Sequence, residues 1–91
     1  MPTRYTVITT QPADDQLARL WAQADPADRR SLTQASDRID LELLVDPDIK
    51  GTPLPAISPT LRFLEVSPLR AYYEVSEPDR LVQIIDYEYI P

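Results

Sequence analysis

Apolar residues recur along this chain with two spacings, and each spacing predicts one kind of element. The segment YTVITT alternates and is rich in β-branched residues, which predicts a first strand over Tyr5–Thr10 that Gln11-Pro12 ends. Over Ala13–Ala24, apolar side chains return at i, i+3, i+4 and i+7, so this segment predicts a helix. The residues of that stripe are Leu17, Leu20, Trp21 and Ala24, and we expect Leu17, Leu20 and Trp21 in the core.

A second helix follows after a short connection. Asp25 is a favourable N-cap and Pro26 suits the first helical position, so we predict a helix from Pro26 to about Val45. Its apolar stripe also has helical spacing and consists of Leu32, Ala35, Ile39 and Leu43. Because the connection is short, the two helices should form an antiparallel hairpin.

The second half of the chain predicts a loop and then three strands. Residues Asp46–Pro59, DPDIKGTPLPAISP, contain four prolines and the only glycine of the protein, Gly51, which indicates a long loop. The dipeptide Ser67-Pro68 supplies the first of the tight turns that follow. The strands are predicted over Leu61–Val66, Leu69–Ser76 and Leu81–Tyr89.

The resulting order β-α-α-β-β-β predicts one small α+β domain over residues 1–91. The helical hairpin should pack on one face of a mainly antiparallel four-stranded sheet and leave the other face open. In the stretch PLRAYYEV, alternation with a period of two places Arg70, Tyr72 and Glu74 on the open face. The same alternation points the other residues toward the core, namely Leu69, Ala71, Tyr73 and Val75.

Charge and composition narrow the chemistry. The chain has 15 acidic and 9 basic residues and a net charge of −6, so it lacks the basic footprint that is typical of nucleic-acid-binding proteins. It has no cysteine and no histidine, which removes disulfides, thiolates, the usual proton shuttle and the commonest metal ligand. Metal-ligand spacings and phosphate-binding glycine loops are absent from the sequence, so we expect neither a metal nor a cofactor.

The sequence also bears on location. It contains no apolar run of the roughly 20 residues that a membrane-spanning helix needs. The first ten residues, MPTRYTVITT, lack the basic-then-apolar layout of a signal peptide. We therefore expect a cytoplasmic protein without a membrane partner.

The chain resembles the RelE/ParE superfamily of bacterial toxins over nearly its whole length. The resemblance is carried by YTVITT, by the helical hairpin with ARLWAQA and DRRSLTQASDRIDLELLVDP, and by Gly51 after a short gap. It continues through LRFLEVSPLRAYYEVSEPDRLVQIIDY, in which LRAYYEV matches the family's R-x-x-Y-x-V core and DRLVQIIDY its closing strand. The resemblance implies a RelE/ParE-like fold and the toxin half of a bacterial type II toxin–antitoxin module, with a cognate antitoxin encoded nearby as partner.

The resemblance leaves three functions open. Some members of the family cleave mRNA on the ribosome, others bind and poison DNA gyrase, and others have lost their activity. We rank ribosome-dependent mRNA cleavage, the endoribonuclease activity of an mRNA interferase, slightly above gyrase binding. The ribonuclease members are usually basic on the open face and after the last strand, whereas this chain has DYEYIP there and a single lysine, Lys50.

Cleavage of RNA needs a base for the 2′-hydroxyl, positive charge at the phosphorus and an acid for the leaving oxygen. The resemblance makes Arg70 the first candidate, because it matches the arginine that opens the penultimate strand in the ribonuclease members. The candidate phosphate-binding residues are Arg62 and Arg70, and the candidate catalytic residues are Arg70, Tyr72, Glu74 and Tyr87. Each has an ordinary alternative: surface ion pairs for the arginines, cross-strand charge for Glu74 and a packed aromatic for Tyr87.

Overall fold

A computed structural model describes residues 4–91. Met1–Thr3, the first three residues of the predicted domain, lie outside the described residues. Within residues 4–91 the elements are α1 (Gln11–Gln23), α2 (Pro26–Glu42), β1 (Thr6–Thr9), β2 (Thr52–Pro53), β3 (Leu61–Val66), β4 (Leu69–Ser76) and β5 (Leu81–Tyr89). The helical hairpin packs on one face of the sheet, which confirms the predicted α+β class.

The strands of residues 4–91 form one mixed sheet in the order β1-β5-β4-β3-β2. β1 runs parallel to β5, and the other neighbouring pairs are antiparallel. The sheet has one strand more than the predicted four, because Thr52 and Pro53, inside the predicted loop, pair with Phe63 and Arg62. A proline is tolerated in β2 because this strand lies at the edge of the sheet, where one of its sides forms no ladder.

The core lies between the helices and one face of the sheet. The helices and the C-cap of α2, Leu43, contribute small and branched residues that water hardly reaches; those of the helices are Ala13, Leu32, Ala35 and Ile39. The sheet contributes Leu69, Ala71, Tyr73 and Val75 of β4 and Val82, Ile84 and Tyr87 of β5. Every second residue of β4 is buried, which confirms the predicted alternation. Burial of this apolar surface, at about 25 cal/mol per Å², is the main term that stabilises the fold.

The helices begin and end close to the predicted residues. α1 begins at Gln11 rather than Ala13, because Pro12 lies in the first turn, where a missing N–H costs no hydrogen bond. α2 begins as predicted, and Asp25 Oδ1 accepts a 2.8 Å hydrogen bond from a backbone N–H of its first turn. It ends at Glu42, earlier than predicted. As far as residues 4–91 are concerned, neither helix is long and apolar enough to cross a bilayer.

The assignment of Trp21 to the core is wrong. Its side chain is 45% exposed, whereas Leu17 and Leu20 pack partly buried against the core. Trp21 lies at the border of the apolar stripe, toward the connection between the two helices. The Arg29 guanidinium covers the indole there, 4.3 Å from the ring centroid, and Arg29 Nε donates a 2.9 Å hydrogen bond to the Trp21 carbonyl. Trp21 therefore joins the helices at their hairpin instead of filling the core.

Candidate functional site on the open face of the sheet

The sheet face that points away from the helices is the open face. It carries most of the candidate catalytic and phosphate-binding residues that the sequence predicts. Residues directly opposite one another in an antiparallel pair point to the same side. Glu65 pairs with Arg70, and Arg70 pairs with Glu88, so three charged side chains cross the sheet in a row. By the same register the open face also includes Ile8, Leu61, Phe63, Tyr72, Glu74, Gln83 and Asp86.

Arg70 lies in the middle of this row and is bound from both sides. Its Nε donates a 2.7 Å hydrogen bond to Glu65 Oε1, and its Nη2 donates to the same oxygen. Its Nη1 donates to Glu88 Oε1 at 2.9 Å. The guanidinium also lies over the Phe63 ring, 4.9 Å from the centroid. Two carboxylates and an aromatic ring thus hold the side chain in one position.

Tyr72 belongs to the same network. Its hydroxyl donates to Glu88 Oε1 at 3.1 Å and lies 3.5 Å from Arg70 Nη1. Its ring packs against Phe63 with the centroids 6.1 Å apart. Hydrogen bonds to Tyr72 and Glu65 raise the pKa of Arg70 above its ordinary value, so the guanidinium stays charged. The structure therefore brings two of the predicted catalytic residues together.

The open face as a whole is acidic. Among residues 4–91 its charged side chains are one arginine, Arg70, and four carboxylates, Glu65, Glu74, Asp86 and Glu88. Two of these carboxylates neutralise Arg70, and Glu74 and Asp86 form no ion pair with any residue in the 4–91 range. Within that range no group of three or more histidine, cysteine or acidic side chains is arranged to hold a metal ion. A phosphate that approached Arg70 would compete with two carboxylates on a net negative surface.

Glu74 lies on the open face, as predicted, but outside the Arg70 network. The two residues are four positions apart on β4, which separates their backbones by about 13 Å. Glu74 lines a cavity of about 550 Å³ where β4 ends and β5 begins, together with Asp48 and Arg62. The predicted grouping of Glu74 with Arg70 in one reacting site is therefore not seen.

A bulge in β5 changes which side chains reach the open face. Tyr72 pairs with Asp86, but the next residue, Tyr73, pairs with Ile84. Ile85 is thereby left over between the two pairs. The extra residue reverses the alternation of β5, so the residues after it point to the side opposite to that expected from its first half.

Tyr87 consequently lies in the core, on the helix side of the sheet. It is 3% exposed. Burial raises the pKa of Tyr87 to about 12, and the negative charge of Asp40 adds to the effect. The body of the sheet separates Tyr87 from Arg70, so the structure does not bring this predicted catalytic residue to the network.

Arg62 also points to the helix side, because it lies opposite Tyr73. Its Nε donates a 2.7 Å hydrogen bond to the Lys50 carbonyl, and its Nη2 donates to the Gly51 carbonyl at 3.3 Å. The Tyr73 hydroxyl donates to the same Lys50 carbonyl at 2.7 Å. Arg62 thus fastens the loop before β2, and the structure does not bring it to Arg70 as a second phosphate ligand.

Replacement of Arg62 by alanine should therefore destabilise the fold. Two carbonyls lose a charged donor, which we expect to cost about 1–2 kcal/mol because the site is partly exposed. Thermal unfolding followed by circular dichroism measures the change, with Arg30→Ala on the exposed side of α2 as the matched control. An Arg62 variant as stable as the Arg30 variant would show that this contact does not hold the loop.

Sequence reasoning missed Glu88 and Phe63 as parts of the network. Phe63 could have been found, because a two-residue turn at Ser67-Pro68 sets it opposite Tyr72. Glu88 gave no such signal, since its position opposite Arg70 depends on the bulge in β5. The two missed residues supply one carboxylate and the aromatic ring that hold the arginine.

Comparison with protein-family models gives no match for this sequence, and comparison with curated proteins gives none. Several solved structures are similar. A chain of the RelBE2 toxin–antitoxin complex from Mycobacterium tuberculosis has a TM-score of 0.76 at 21% identity, over 96% of this chain and 92% of that chain. A chain of the chromosomal ParDE system from P. aeruginosa has a TM-score of 0.72 at 16% identity, over 97% of this chain and 98% of that chain. The isolated E. coli RelE toxin has a TM-score of 0.59 at 19% identity, over 96% of this chain and 85% of that chain. The chain therefore has the RelE/ParE toxin fold, as the sequence predicts.

Proposed function

We propose that this chain is the toxin component of a bacterial two-gene toxin–antitoxin module and that it acts by binding a protein rather than by cleaving RNA. The toxin role is supported by the fold, since the similar structures are RelE, RelBE and ParDE proteins. The choice of mechanism depends on one observation. Arg70, the basic residue of the open face, is bound by the carboxylates of Glu65 and Glu88.

Ribonuclease activity would require more free cations and proton-transfer groups than this face has. Each phosphate that a protein neutralises contributes to RNA affinity through counterion release, so a site needs several free cations. In the described part of the chain, residues 4–91, the open face has four carboxylates and one arginine. The chain has no histidine, so proton transfer would fall to Tyr72 or to carboxylates. Glu65 and Glu88 already hold Arg70, and Glu74 lies about 13 Å from it along β4.

A protein target fits the surface better. The helical hairpin exposes two large apolar side chains, Trp21 at 45% and Leu41 at 65%, which are suited to contacts in a protein interface. DNA gyrase is the first candidate, because the resemblance to the family includes its gyrase poisons. The proposal also assigns the protein a cytoplasmic location and an antitoxin, encoded nearby, that keeps it inactive.

Ribosome-dependent mRNA cleavage is the second candidate function. It is favoured by the Tyr72 hydroxyl, which lies 3.5 Å from Arg70 Nη1 on the open face, so that a phenol and a cation adjoin. The ribosome would then have to position the message and displace the carboxylates from Arg70. Arg70 would hold the phosphate in that case, and Tyr72 would take part in proton transfer.

Three assays on one set of variants distinguish these functions. We expect that induced expression stops growth, that mRNA in a purified translation system stays intact, and that Arg70→Ala remains toxic while gyrase supercoiling is inhibited. Arg30→Ala is the matched control, and circular dichroism checks that both variants fold. Cuts at ribosome-occupied codons that vanish in Arg70→Ala would instead establish mRNA cleavage. Normal growth with both targets unaffected would leave an inactive fold retained for antitoxin binding.

A further inference from the structure

The open face also indicates what kind of partner covers it. We propose that the open face is the docking surface for a cationic amphipathic segment of the antitoxin, in which lysine or arginine side chains are interspersed with apolar ones. The inference rests on the proposed function only in naming the antitoxin as the partner. The surface itself is defined by its apolar residues and its charges.

The apolar part of the open face forms its own small cluster. Leu61 is only 7% exposed, yet it lies outside the main core. Phe63 and Tyr72 are half-buried beside it, and their rings contact one another. A groove of about 500 Å³ continues from this cluster to α1, with Leu20 and Asp86 in its lining. Apolar side chains of a partner segment would find their contacts here.

The charged residues of the open face favour a partner segment with positive charge. The four carboxylates and one arginine that residues 4–91 contribute give it a net charge of −3. Glu74 and Asp86 have no cationic partner among residues 4–91. Glu65 and Glu88 both use Oε1 for Arg70, so their second oxygens are available to accept hydrogen bonds from a lysine or an arginine. An acidic segment or an RNA backbone would meet repulsion across the same surface.

The surface is tested on the full chain with a defined probe. The probe is a labelled peptide of about 12 residues in which lysine and valine alternate, and its glutamate counterpart is the reference. NMR shifts locate the binding site, and fluorescence anisotropy gives its affinity. We expect shifts on β3, β4 and β5 at Phe63, Tyr72 and Gln83. The Glu74→Gln/Asp86→Asn variant should bind the lysine peptide about ten-fold more weakly.

The matched control removes two acidic residues elsewhere. Asp28→Asn/Asp37→Asn changes the net charge equally on the exposed side of α2 and should keep the original affinity. Equal weakening in both double variants, or shifts confined to other surfaces, would overturn the inference, because the peptide would then respond only to net charge. Tighter binding of an RNA oligonucleotide than of the lysine peptide at the open face would overturn it in favour of RNA.

A second experiment separates this inference from the proposed function. Overlapping peptides that cover the product of the neighbouring reading frame are added to the full chain, and we expect the binding peptide to be cationic and to shift the open face. The inference would be overturned if the neighbouring product restores growth but binds through an acidic segment, or at a surface other than the open face. The toxin role would stand in that case. A neighbouring product that does not bind at all would contradict the proposed function. The lysine peptide would still test whether the open face binds a cationic segment.

Discussion

Replacing Gly51 with alanine is expected to lower the free energy of unfolding by about 2–4 kcal/mol. Gly51 has a φ of +67°, a conformation that residues with a Cβ rarely adopt. A Cβ at this position would also lie 2.2 Å from the Phe63 carbonyl oxygen, which belongs to the backbone of β3 and cannot turn away. Urea unfolding followed by circular dichroism measures the loss.

Two further variants at this turn make the result interpretable. Thr52→Ala, at the exposed neighbouring residue, should be close to the original protein in stability. Gly51→Asn separates the two causes, since asparagine tolerates a positive φ but still carries a Cβ. If the asparagine variant is as unstable as the alanine variant, the contact with Phe63 dominates. A Gly51→Ala protein with unchanged stability would contradict the packing of this loop against β3.

The second large effect is a loss of stability in alkaline solution. Burial raises the pKa of Tyr87 in the folded protein to about 12, against 10.0 for an ordinary tyrosine. Below pH 10 both the folded and the unfolded chain keep the proton, and the stabilising contribution is complete. Between pH 10 and 12 the unfolded chain loses the proton first, so stability falls as the pH rises. We expect a loss of roughly 2–3 kcal/mol from this residue.

Urea unfolding at a series of pH values from 8 to 12 tests the prediction, with the range set by the pKa of Tyr87. Tyr87→Phe keeps the ring and removes the ionisable hydroxyl, so its stability should fall less steeply. A residual slope is expected, because burial also raises the pKa of Tyr73. Tyr89→Phe removes a hydroxyl from a side chain that is 42% exposed and should keep the original slope. Identical slopes for the two variants would show that Tyr87 does not control alkaline unfolding.

Much of the fold could be predicted from local patterns. The strands β3, β4 and β5 lie where alternation and turns predict them, and α2 begins at the predicted cap, Asp25. These features depend on short-range causes: the period of the apolar residues, the side chain at a helix end and the conformation of proline. The exposure of Trp21 is not a local property, because one helical stripe does not reveal which of its borders is covered by another element.

The candidate site was less predictable, and its two arginines show why. Arg70 is on the open face as alternation predicts, but the sequence does not reveal that Glu88 holds it. The position of Arg62 on the other face follows from the two-residue turn at Ser67-Pro68, which pairs residue 62 with Tyr73. That inference was within reach, since the turn length fixes the register of a hairpin.

What the sequence by itself determined is the order of the two helices and of β1, β3, β4 and β5, the buried side of β4 and the acidic balance of the chain, since each is a property of neighbouring residues or of composition. What only the tertiary structure decided is which side chains meet. The bulge at Ile85 adds one residue to β5, which sends Tyr87 into the core and places Glu88 beside Arg70. A single extra residue reverses the alternation of a strand, and whether a strand contains one depends on its pairing with its neighbours.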